Sequence, residues 1–115
     1  MARTPTTFDP FNAIAEPKRR QVLDLLAERD QTVNDLVSTL RWPQPMVSKH
    51  LGVLKEVGLV MAREEGRNRI YRLNAEPLKP IFNWARSFER FWTQHLDQIK
   101  QRAERKARDR KAKEN

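Results

Sequence analysis

The chain has no cysteine. That excludes disulfides, thiolate metal ligands and thiol catalysis together. It has only three glycines among 115 residues, and none forms a glycine-rich phosphate loop. No apolar run approaches the roughly 20 residues of a transmembrane helix. The opening Met-Ala-Arg-Thr-Pro-Thr-Thr lacks the apolar stretch of a signal peptide, so a cytoplasmic protein without membrane contact is the expectation. No nucleophile–base pair and no metal-ligand cluster stands out, which argues against an enzyme and predicts no cofactor. Acidic residues are also in deficit: 23 basic side chains face 15 acidic ones, a net charge of +8 with a pI near 10.4. An excess of that size points to a polyanionic partner, of which nucleic acid is the commonest.

What is present is concentrated in the run Pro43-Gln-Pro-Met-Val-Ser-Lys-His-Leu-Gly-Val-Leu-Lys-Glu-Val-Gly-Leu-Val60. Val47, Leu51 and Leu54 fall at i, i+4 and i+7, the spacing of one buried helix stripe. Ser48, Lys49 and Gly52 lie on the opposite side, short or cationic, as a face that enters a DNA groove requires. Gly58 ends the helix and a strand follows.

Upstream, Asp9-Pro10 reads as an N-cap and first-turn proline opening a short helix to about Ala15. Pro17 opens a second helix to about Glu28, and Thr32-Val-Asn-Asp35 resembles a capping box opening a third that ends near Leu40. With Arg41-Trp42-Pro43 as the turn, the third and fourth helices form a helix-turn-helix. Val60 and Ala62, then Ile70 and Tyr71, read as two strands, with turn chemistry at Glu65-Gly66 and Asn68. The spacing then predicts one last helix opened by Pro77, with Leu78, Ile81, Phe82, Ala85, Phe88, Trp92, Leu96 and Ile99 on its stripe and Trp84, Phe91 and His95 on a flank. That stripe is wide and aromatic enough to bury against more than its own chain.

The predicted architecture is mainly α with a small β-hairpin, in the order α-α-α-α-β-β-α. Residues 1–8 form a loose N-terminus, 9–100 the domain and 101–115 a basic tail. The tail carries seven basic and three acidic side chains. Glu104–Arg108 and Asp109–Lys113 are spaced as i, i+4 ion pairs on a solvated helix. Three readings stay open for it: an anchor on flanking DNA, an extension of the last helix in a dimer, or a solvated end.

Together these motifs resemble the ArsR-type winged-helix repressors of bacteria. Phe11-Asn-Ala-Ile-Ala-Glu-Pro-Lys-Arg-Arg-Gln-Val-Leu-Asp-Leu-Leu26 is similar to the family's opening ALADPTRRxIL pattern. The run from Pro45 to Val60 is similar to PAVSKHLKVLREAGLV, and Gly66 to Asn74 to the wing pattern GRRRYYRLN. The ending Phe91-Trp-Thr-Gln-His-Leu-Asp-Gln-Ile99 resembles a metal-independent subgroup. The resemblance covers roughly residues 8–100.

It implies a homodimer joined through the first and last helices, bound to an inverted-repeat operator in double-stranded DNA. The interface residues would be Phe11, Ile14, Ile81, Phe82, Phe88, Trp92, Leu96 and Ile99. The DNA-binding residues would be Gln44, Met46, Ser48, Lys49 and His50 of the recognition helix, with Arg63, Arg67, Asn68 and Arg69 of the wing. Lys55 and Arg72 are further phosphate candidates. His50 stays open between a phosphate or base contact and a partly buried histidine bonded to a neighbouring backbone. One departure stands out: Pro43 occupies the position where the family usually has a serine or similar cap.

Many relatives sense metals, but His95, with Asp97 and Glu89 nearby, is too small a ligand set on the last helix, and no metal site is expected. Nothing in the sequence identifies a small-molecule effector. Two other functions fit the same basic surface: a non-specific architectural DNA-binding protein, and a winged-helix module that binds other proteins.

Overall fold

The computed structural model describes residues 9–114. Helix α1 (Pro10–Ala15) is followed by α2 (Pro17–Glu28), β1 (Gln31–Thr32), α3 (Val33–Leu40), α4 (Gln44–Glu56), β2 (Val60–Glu65) and β3 (Asn68–Leu73). A 3₁₀ turn (Glu76–Leu78), α5 (Lys79–Arg86) and α6 (Glu89–Glu114) complete the chain. Its contacts divide it into two units, one ending at Ile81 and one beginning at Phe82. The loose end expected for residues 1–8 lies outside the described residues.

The helix starts are those that capping chemistry dictates. Asp9 accepts a hydrogen bond from the Phe11 amide at 3.0 Å and Pro10 occupies the first turn. Thr32 and Asp35 close a reciprocal capping box, with bonds of 3.1 and 3.0 Å between each side chain and the other's amide. Hydrogen bonding from the Thr32 amide, and then from the Thr32 hydroxyl, holds the Asp35 carboxyl below its ordinary value. Pro43 opens α4 with no side-chain cap, in line with its chemistry.

Helix α4 ends in a left-handed glycine. Gly58 has φ +79°, its amide bonds the Lys55 carbonyl at 3.0 Å, and the Leu59 amide bonds the Leu54 carbonyl at 2.9 Å. This is a Schellman motif, and it turns the chain directly into β2. Asn74 then fastens the far end of the hairpin to that cap: its Nδ2 donates to the Gly58 carbonyl at 2.8 Å, and its amide donates to the Leu59 carbonyl at 2.8 Å. Because Asn74 is half-buried, Asn74→Ala leaves the Gly58 carbonyl short of a partner. We expect a loss of about 1–2 kcal/mol. Urea unfolding measures it, and an unchanged midpoint would show that the clasp adds nothing.

The core of the first unit is one cluster: Ala13 from α1, Val22, Leu23 and Leu26 from α2, Leu36 from α3, Val47, Leu51 and Leu54 from α4, then Leu59 and Val60. Every helix of the helix-turn-helix thus gives one face to a common interior, which fixes α4 by its inner side and leaves the outer side free.

The sheet is larger than a hairpin. It has three antiparallel strands in the order β1-β3-β2, with Gln31 opposite Tyr71 and Thr32 opposite Ile70. Gln31 is 2% exposed, and its Nε2 donates to the Leu25 carbonyl at 2.7 Å. A two-residue strand with a buried glutamine has no hydropathy signature.

The last helix is not continuous. Ser87 and Phe88 interrupt it between α5 and α6. The Ser87 hydroxyl donates to the Trp84 carbonyl at 2.6 Å and the Phe88 amide turns to the Ala85 carbonyl at 3.1 Å. A serine that captures a carbonyl one turn back competes with the helical ladder and tightens it locally. Helix α6 then runs without a break to Glu114, through the segment set apart as a tail.

Candidate nucleic-acid interface

Arg41 to Pro43 join α3 to α4, and Arg41 sits at φ 59° with its amide bonded to the Val37 carbonyl at 2.8 Å. This left-handed cap makes the tight turn of the helix-turn-helix without a glycine. Trp42 packs next. The Lys18 ammonium lies 5.5 Å from its ring centroid, and His50 meets it edge-on at 6.2 Å.

On α4, Val47, His50, Leu51 and Leu54 are buried. Gln44, Ser48, Lys49, Gly52 and Lys55 are exposed and span the opposite arc at 3.6 residues per turn. Gly52 sits in the middle of that arc, and a Cβ there would meet nothing within 4 Å. Among the described residues no contact demands the glycine, so the helix presents a flat point flanked by Ser48 and Lys49. Met46 is half-buried at the edge of the arc, its Sδ 3.6 Å from the Lys18 Nζ.

His50 does not join that surface. It is 9% exposed, and its buried Nδ1 finds no hydrogen-bond partner among the described residues. The side chain is buried beside the Trp42 ring, without the backbone bond at Nδ1 that a partly buried histidine is expected to make. Burial holds its pKa below the ordinary 6.5, and the Arg19 guanidinium lowers it further; Lys18 and Lys49 act in the same direction and Glu16 against it.

The sign of the linkage follows. The unfolded chain binds a proton as pH falls through about 6.5, while the folded chain resists until lower pH, so stability present above 6.5 is lost on acidification. We expect the denaturation midpoint to fall between pH 7.5 and 5.5, and to fall less in His50→Phe. The Asp35 carboxyl titrates below this window. Equal falls in both proteins would remove His50 as the cause.

The wing is the β2–β3 hairpin, with Glu65 opposite Asn68 and Gly66–Arg67 as the two-residue turn. Gly66 alone has positive φ, +64°, the pattern of a type II′ turn. Arg67 therefore stands at the tip, exposed, with Asn68 beside it. The three wing arginines do not share one face. Arg63 lies opposite Ile70 and Arg69 opposite Glu64, so their side chains leave opposite sides of the ribbon. Arg69 lies over the Tyr71 ring at 5.7 Å.

Arg63 is engaged within the chain. It bonds Asp30 at 2.8 Å and Glu65 at 3.4 Å, and the Asp30 bond raises its pKa. It ties β2 to the approach to β1, so it stands paired within the chain while its side chain stays half exposed. Arg72 donates to the Met61 sulfur at 3.5 Å.

Two arginines missed as structural residues are Arg19 and Arg20. Helix α1 is too short to satisfy its own C-terminal carbonyls. Arg19 donates to the Ala13 and Asn12 carbonyls at 2.6 and 3.1 Å, and Arg20 to those of Ile14 and Ala15 at 2.7 and 3.3 Å. All four orphan carbonyls of α1 are taken by one Arg–Arg pair. Cation spacing alone carries no signal that distinguishes this from a DNA-facing patch.

Of the residues expected at an interface, Ile14 is partly buried against the core and Ile81 is half-buried. Phe11 is exposed, and so are Phe82, Phe88, Trp92, Leu96 and Ile99, with Phe82 at 62% and Leu96 at 61%. Phe82, Ala85, Arg86, Glu89 and Trp92 line an open hollow on α5 and α6. Among the described residues no group of three or more His, Asp or Glu could hold a metal ion, and no helix is long and apolar enough to cross a membrane.

The family described as "Bacterial regulatory protein, arsR family" matches residues 16–62. The transcriptional repressor SdpR of Bacillus subtilis (strain 168) is 35% identical over 78 residues, which are 68% of this chain and 87% of that protein. An ArsR-like transcriptional regulator from Rhodococcus sp. RHA1 superposes with a TM-score of 0.65 at 30% identity, covering 82% of this chain and 86% of that one. A structure described as a possible transcriptional regulator for arsenical resistance is 39% identical with a TM-score of 0.59, over 76% and 88% of the two chains. With its buried-and-open recognition helix, its basic wing and these likenesses, the chain belongs to the ArsR family and is a sequence-specific DNA-binding transcriptional regulator.

Proposed function

We propose that the protein is a homodimeric repressor that binds an inverted-repeat operator and blocks transcription by occluding polymerase. The observation that carries the reading is α4 itself: four side chains lock its inner face into the core, and Gln44, Ser48 and Lys49 stand on the other, around Gly52. Short polar side chains and a lysine match the donor and acceptor pattern of base edges in the major groove. Arg67 and Asn68 at the wing tip, with Arg69 behind them, supply phosphate or minor-groove contacts. Met46 at the edge of the arc adds an apolar contact.

The dimer forms through the exposed aromatic face of α5 and α6, with Ile81, Phe11 and Ile14 included. An apolar surface of this kind is expected to be covered. Two-fold symmetry then sets the recognition helices on successive major grooves, about one helical turn or a small multiple apart. The reading includes no metal. The chain has no cysteine and two histidines, one of them buried under Trp42.

The test is selection of bound sequences from a random duplex pool at near-physiological salt. An enriched inverted repeat supports the reading. Binding without enrichment would overturn it in favour of an architectural protein, and absence of binding in favour of a protein-interaction module.

A further inference from the structure

Helix α6 changes character along one face. At 100° per residue, Trp92, His95, Leu96, Ile99 and Ala103 share one stripe. Past Ile99 the same face carries Arg102, Lys106, Arg110 and Lys113, at steps of four, four and three. These four cations span about 16 Å at 1.5 Å per residue. Every residue from Lys100 to Lys113 is exposed. Among the described residues none of the seven arginines and lysines from Arg102 to Lys113 forms an ion pair. The i, i+4 pairs expected at Glu104–Arg108 and Asp109–Lys113 are not closed, as their small net gain on a solvated helix allows. Glu104 lies on the far side of the helix, and Asp109 lies at the edge of the row.

We propose that this row binds the sugar-phosphate backbone of duplex DNA flanking the operator, without reading sequence. The proposal rests on the DNA-binding function above. A second copy paired along the same face of α6 would bring the same cations or the aromatic stripe against the row, and neither complements four positive charges. Favourable interaction with the helix C-terminus accounts for Lys113 in the last turn, but not for Arg102, Lys106 or Arg110 farther up. A regular line of cations on a preformed helix matches a regular line of phosphates, and ordering its side chains releases counterions.

The test compares two full-length variants of equal net charge: Lys106→Gln with Arg110→Gln, on the row, and Arg105→Gln with Arg108→Gln, off it. Binding is measured against the selected operator core carrying either 5 or 20 base pairs of random flank, across a salt series. Wild type and the off-row variant gain affinity with the longer flank. The on-row variant loses that gain, and its slope of log K against log salt falls by about 2–4 for a dimer, at roughly 0.9 per phosphate contact. Equal behaviour of the two variants, or no dependence on flank length in wild type, overturns the proposal while leaving operator recognition intact. Loss of core binding by wild type would instead defeat the function on which it rests.

Discussion

Trp92→Asp is expected to convert the proposed dimer to monomers and to abolish tight operator binding. Trp92 is 51% exposed on α6, with Phe88 and Leu96 one turn to either side. In the proposed dimer it passes from water into an apolar seam. A carboxylate there must either lose its hydration or keep the seam open, and an unpaired buried charge costs several kcal/mol. Two-fold symmetry doubles the penalty, because each protomer brings one. The first unit does not depend on this side chain, since its core is built from residues between Ala13 and Val60. Helical circular dichroism should therefore persist while sedimentation velocity shows the monomer. Gln94→Asp is the control, placed on the same helix but off the stripe. A Trp92→Asp protein that sediments as a dimer as tight as Gln94→Asp would end the interface assignment.

Much of this architecture was legible because its signals are local. The period of Val47, Leu51 and Leu54 buries α4 as expected, and the Thr32–Asp35 box and the glycine at 58 set boundaries by chemistry within a few residues. What escaped depends on partners distant in sequence or on competition invisible to periodicity. Strand β1 exists because β3 offers it a ladder and Leu25 a carbonyl for Gln31. The break before α6 leaves the apolar spacing intact, so the stripe alone predicted one helix; a single serine hydroxyl marks the interruption.

The candidate site was legible in outline and altered in detail for the same reason. Helical spacing identifies which residues of α4 lie outward, and Ser48 and Lys49 do so. It places His50 at the edge of the stripe, and only the packing of Trp42 from the turn shows that it faces in. A basic residue near a wing reads as unpaired until its acid partner is seen, and Asp30 lies 33 residues from Arg63 in sequence. Arg19 and Arg20 follow the same logic: part of the positive charge that pointed to a polyanion closes the end of α1 instead.

Lys49 separates base reading from simple attraction. Its side chain is exposed on the arc that holds Ser48 and Gly52, and its removal opens no cavity. If its ammonium donates to a base edge, Lys49→Ala lowers operator affinity by about 1–3 kcal/mol, roughly 5- to 150-fold, at fixed salt. The loss should be smaller on an unrelated duplex, so specificity relaxes. If it contacts phosphate alone, binding weakens evenly on both duplexes and the salt slope drops by about one per contact. Lys55→Ala, on the same exposed face but a turn and a half farther along, serves as the phosphate comparison. Fluorescence anisotropy on the selected repeat and on a scrambled duplex distinguishes these results. Unchanged affinity for both would remove Lys49 from the interface and shift recognition toward Gln44 and Ser48.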